Sequence, residues 1–112
     1  MIYHVVPLDD WLQAPDRPFA PSSLAAEGFV HCSPDEASAL AVADARFREA
    51  VGPLMVLLID EGELTARLAW EAGSDGRRYP HVYGRINRAA VTGMLEVERD
   101  AQGRARSLGV WS

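Results

Sequence analysis

The sequence predicts one mixed α+β domain, with small antiparallel or mixed sheets and one main helix over about residues 34–50. Three observations carry that prediction. Ser33-Pro34-Asp35-Glu36 is a helix-start signal, and it precedes an apolar stripe at helical spacing formed by Leu40, Ala43, Phe47, Ala50 and Val51. About six short stretches rich in β-branched and aromatic residues lie on either side of that segment. A chain of 112 residues is enough for one domain and too short for two, so residues 1–112 are expected to fold as a unit.

Taken in order, residues 2–6 (IYHVV) read as a strand stopped by Pro7. Asp9 or Asp10 is then placed to cap a short helix carrying Trp11 and Leu12. Residues 14–23 contain three prolines and are expected to be an irregular surface loop, a candidate lid. Residues 23–28 form one helical turn closed by Gly28. A short strand, FVHC, follows, with Ser33 as the N-cap of the main helix, Pro34 at its first position and Glu36 completing a capping box.

The continuous apolar run at 54–59, LMVLLI, has the length and composition of a central strand covered on both faces. Residues 66–72 alternate, with Ala66, Leu68 and Trp70 on one face and Arg67, Ala69 and Glu71 on the other. Residues 73–78 make a flexible loop. The stretch YPHVYG at 79–84 is broken by Pro80 and Gly84 and reads as a binding turn with a short strand rather than a core strand. Asn87 is placed to cap a short turn. The last segment reads as a hairpin turning at 100–103.

Eleven basic residues against 16 acidic ones give a net charge of −5, which lacks the basic footprint of a nucleic-acid duplex binder. The single cysteine excludes an intrachain disulfide and a multi-cysteine zinc site. The start of the chain lacks a basic n-region and a long apolar core, and the six-residue apolar run is too short to cross a bilayer. The expectation is a soluble cytoplasmic protein with no tightly bound cofactor and no metal.

The chemistry concentrates on three histidines, each among aromatic or β-branched neighbours: His4, His31 and His81. One such histidine fits a half-buried structural role; three in the same setting point to a shared pocket. They stand 27 and 50 positions apart, which is no metal-ligand spacing. Cys32 fits a small core residue better than a nucleophile, because Asp35 and Glu36 oppose an anion at that helix start. Glu71, beside Trp70 and before a glycine loop, is placed like a carboxyl whose pKa is raised or whose orientation is fixed by an apolar wall.

Tyr3-His4, the run from Glu27 to Ser33, the LLID strand, Trp70-Glu71 and the run from Tyr79 to Gly84 together resemble the family catalogued as domain of unknown function 952, up to about Val91. The paired signatures EGFVHCS and YPHVYG carry the resemblance. It implies an ADP-ribosyltransferase-like fold, with NAD bound in a cleft between two small sheets. It implies that His4 holds the ribose, that the 29–33 region contacts the nicotinamide side, and that Glu71 steers the transfer.

The reading for the site is therefore Glu71 and His31 as catalytic residues, with His4, His81, Tyr83, Ser33 and Arg17 binding a nucleotide-like ligand. Arg17, Arg77 or Arg78 would supply the phosphate contacts. NAD would be a substrate, its ADP-ribose transferred or hydrolysed. Two rivals stand beside it: a non-catalytic module using the same pocket for a small molecule or peptide, and a metal-dependent hydrolase using the three histidines.

Overall fold

The computed structural model describes residues 1–111. Its elements run β1 (Ile2–Pro7), α1 (Leu8–Leu12), α2 (Ser22–Glu27), β2 (Val30–His31), α3 (Glu36–Arg46), β3 (Leu54–Ile59), β4 (Arg67–Ala72), β5 (Arg78–Tyr83), β6 (Val91–Arg99) and β7 (Ala105–Val110). Short 3₁₀ turns lie at Glu61–Glu63 and Arg88–Ala90. The strands form a four-stranded sheet in the order β1-β3-β6-β7 and a three-stranded sheet in the order β2-β5-β4. All these named strand pairings are antiparallel.

The apolar run at 54–59 becomes β3, flanked by β1 and β6 inside the larger sheet. Alternation sends its side chains into two cores. Met55, Leu57 and Ile59 join Ile2, Val6, Val30 and Val82 between the two sheets. Leu54 and Val56 pack with Val5, Val97 and the Ala39 and Ala43 face of α3 on the other side. The architecture is thus three layers, small sheet, large sheet and helix, and β3 is dry on both faces because each face has a partner layer. No helix among the described residues is long and apolar enough to cross a membrane.

The main helix is shorter than expected and starts later. It spans Glu36–Arg46, and its N-cap is Asp35, whose carboxylate accepts the Ser38 N–H at 2.7 Å. Ser33 is no cap: its main chain exchanges hydrogen bonds with Tyr3 at 2.9 and 2.7 Å. The following proline favours extended backbone at Ser33, which suits that bridge and not a helix start. At the other end the helix stops at Phe47, leaving Val51 out of the apolar stripe and 91% exposed.

Other local expectations need correction for similar reasons. Asp9 and Asp10 do not cap α1; they lie in its first turn, behind an N-cap at Pro7. Asn87 does stand at the N-cap of the 3₁₀ turn, but its side chain makes no cap bond and its amide instead bridges the Glu63 carbonyl and the Thr65 N–H. The 14–23 loop is pinned to the body: Phe19 is 4% exposed and exchanges two main-chain hydrogen bonds with Ile86, each 2.8 Å. Arg88 donates to the carbonyls of Trp11, Ala14 and Arg17.

The YPHVYG stretch forms most of β5, the central strand of the small sheet, despite Pro80. The Pro80 carbonyl accepts the Cys32 N–H at 3.0 Å, so its missing donor also faces that side. β2 ends there, so the loss is confined to the reciprocal bond of that one pair. Elsewhere, Gly28 closes α2 with φ +84°, and the final hairpin turns at residues 100–103.

Candidate functional site

The small sheet has one face in the core and one face free, and its residues sort by parity. Leu68, Val82 and Val30 point inward to the main core. Across the paired strands Glu71 stands opposite Tyr79, Ala69 opposite His81, His81 opposite His31, and Arg67 opposite Tyr83. These seven therefore share the outer face. Trp70 points the other way from Glu71, so no indole walls that carboxylate.

Glu71 is organised by its neighbours instead. Its Oε1 accepts from His81 Nδ1 at 2.8 Å and from the Tyr83 hydroxyl. These donors, the Tyr83 hydroxyl first and His81 second, hold its pKa below the usual carboxylate value, and the same bond raises that of Tyr83. Glu71 is thus an ionised acceptor, not a carboxyl with a raised pKa. An acceptor-only carboxylate puts the proton on His81 Nδ1 and leaves Nε2 as the free ring nitrogen.

A second pair repeats the arrangement. His31 Nε2 meets the Glu27 carboxylate one helical turn earlier in the chain. The His31 and His81 rings are 5.3 Å apart, edge to face, and Phe29 stacks on His81 at 4.2 Å with 21° between planes. Two imidazoles, each held by a carboxylate, therefore sit side by side.

They open onto a cleft of about 400 Å³ between the small sheet, the edge strand β1 and the C-terminal half of α3. His4, Cys32 and Ser33, all buried, line its depth. Val42, Arg46 and Phe47 form the helical wall, and the β4–β5 hairpin tip forms the opposite one. Gly73 in that tip is required by contact: a Cβ there would come within 2.7 Å of the Tyr79 ring.

The deep residues are held in inert states. His4 Nδ1 donates to the His31 carbonyl at 2.6 Å, and burial drives its pKa down to about 4. The ring is neutral at pH 7, with Nε2 as an acceptor. Burial pushes the Cys32 thiol up to about 12, which removes it as a nucleophile at neutral pH.

Of the residues expected at the site, His4, His31, His81 and Ser33 line the cleft. Glu71 and Tyr83 do not line it and act from behind His81. Arg17 is not in the cleft; its carbonyl is one of those gripped by Arg88. Arg77 faces Asp35 at 3.9 Å, and Arg78 donates to the Trp70 carbonyl. Among the described residues no three His, Cys, Asp or Glu side chains are grouped to hold a metal ion.

Two contributors were missed, Glu27 and Arg46, and a third, Phe29, was read only as part of the 29–33 region. Glu27 was legible from its i, i+4 spacing to His31. Phe29 was legible from its two-residue offset from His31. Arg46 had no sequence signal, because its place in the cleft depends on how α3 packs across the sheets.

No curated protein matches the chain. Protein CC0527 of Caulobacter crescentus, solved by X-ray crystallography, is 29% identical, covers 94% of this chain and 92% of its own, and superposes with a TM-score of 0.81. Its solution NMR structure gives 0.73 at the same identity, covering 94% of this chain and 90% of its own. The family model described as protein of unknown function DUF952 matches residues 5–94, most of the chain. The chain therefore belongs to the DUF952 family, and it shares a small antiparallel α+β fold with the Caulobacter protein.

Proposed function

We propose that the cleft binds a small phosphorylated, nucleotide-like molecule such as NAD, and that His81 is the proton-transfer group of an ADP-ribosyltransferase-like transfer or hydrolysis. One observation carries the reading. The Glu71 carboxylate fixes His81 Nδ1, so a free Nε2 is presented beside a second carboxylate-held imidazole at one cleft. That is how a general base is oriented, and how the imidazolium formed during reaction is stabilised.

The nicotinamide–ribose bond breaks and nicotinamide leaves as a neutral molecule. A water or acceptor hydroxyl oxygen bonds to the ribose carbon, and its proton passes to His81 Nε2. Glu71 is a positioning residue in this scheme, compensating the positive charge on His81.

The reading is tested by calorimetric titration with NAD and ADP-ribose and by assay of nicotinamide release. We expect binding, and we expect Glu71→Gln to keep affinity while lowering turnover by about 10- to 100-fold. No heat and no thermal shift at millimolar ligand would sink the reading, and unchanged turnover would remove Glu71 from the mechanism. The inert floor of the cleft, with its neutral His4 and protonated Cys32, favours one alternative, a module that binds the ligand without turnover. Affinity with no nicotinamide release selects it.

A further inference from the structure

All eleven cationic side chains of the chain are arginines. Eight of them hold a carbonyl, a carboxylate or an aromatic face within the protein. Among the described residues the side chains of Arg17, Arg46 and Arg85 make no hydrogen bond or ion pair, and of these only Arg46 lines the cleft. It extends from the last turn of α3, next to Val42 and Phe47, on the helical wall of the cleft that the histidine pair also lines. A second observation points to a ligand in the same cleft. Ser23 Oγ, also on the cleft, is the one buried side-chain polar atom without a hydrogen-bond partner among the described residues. A buried hydroxyl left unpaired is costly unless something else pairs with it.

We propose that Arg46 is the anion anchor of this cleft, taking the phosphate of a nucleotide-like ligand while the ligand's uncharged part runs along Val42 and Phe47 toward His81. The inference rests on the nucleotide reading above and names the residue that gives it its charge selectivity. A guanidinium suits that task because its planar fork donates two parallel hydrogen bonds to a phosphate. It also replaces Arg17, Arg77 and Arg78 as the phosphate contact. Arg17 lies outside the cleft, and the other two are occupied on the protein itself.

The test is calorimetry with two probes, ADP-ribose and the phosphate-free adenosine, on the wild type, Arg46→Gln and Arg46→Lys. Arg46 is exposed and bonds to nothing in the chain, so the variants are expected to keep the wild-type melting temperature. Arg46→Gln should weaken ADP-ribose by roughly ten- to a hundredfold and leave adenosine unchanged. Arg46→Lys should recover part of the loss. Unaltered ADP-ribose affinity in Arg46→Gln overturns the inference and leaves the nucleotide reading standing. An equal loss for both probes also overturns it, since charge would not be what Arg46 supplies. A wild type that binds neither probe removes the nucleotide reading and the anchor together.

Discussion

Leu57 on β3 and His81 on β5 occupy comparable places, each near the middle of a central strand, yet their surroundings differ in kind. Leu57 is fully buried in a sheet with a layer packed on either face. His81 belongs to a sheet covered on one face only, and its side chain keeps 14% of its exposure. The larger sheet therefore needs apolar residues in both parities, while the smaller one needs them in one and leaves the other for ionisable groups. In this molecule the dry core centres on the first sheet, and the ionisable side chains cluster on the free face of the second.

The largest effect expected from breaking that contrast is in the first sheet. Leu57→Ala should cost about 3 kcal/mol, read as a lower urea midpoint at unchanged slope. A midpoint as insensitive as that of an outer-face variant would remove the distinction between the sheets.

His4 joins the two regions, and its effect is of similar size but depends on pH. Its folded pKa of about 4 lies below the unfolded 6.5, so between these values the unfolded chain binds a proton that the folded chain refuses. The stability of the neutral ring is complete above pH 6.5 and is lost as the pH falls toward 4, by about 3 kcal/mol. Unfolding curves at several pH values should show a steeper acid decline for the wild type than for His4→Asn. Parallel declines would mean that His4 titrates normally in the fold.

A smaller effect locates the helix start. Asp35→Ala should cost about 1 kcal/mol, whereas Ser33→Ala, which removes a hydroxyl with no bond to the helix, should cost less. The reverse order would return the cap to Ser33. Glu71→Gln is the least visible in a melt, because the carboxylate lies on the exposed face. Its readout is nitrogen NMR of His81. The proton should sit on Nδ1 in the wild type and redistribute between the ring nitrogens in the variant, and an identical tautomer in both would end the positioning role.

Several elements were legible because a local rule and the tertiary fold agreed. The continuous run at 54–59 became a doubly covered strand, Gly28 closed its helix, and the 66–72 alternation placed Glu71 and Leu68 on opposite faces. Misreadings arose where two local rules competed. Ser33 and Asp35 are both good caps, and the choice fell to Asp35 because the Ser33 main chain pairs with Tyr3, thirty positions away. Pro80 suggested an edge or a turn, yet it is tolerated at the centre because its neighbour strand is only two residues long.

The sequence by itself determined the apolar periodicities, the turn residues and the presence of three histidines in strand-like settings, because these depend on spacing along the chain. Tertiary structure alone decided that these histidines meet at one cleft, that Glu71 stands behind His81, and that Arg46 and not Arg17 lines that cleft. The physical reason is that periodicity fixes which face of an element a residue occupies. Only packing between elements fixes what that face meets.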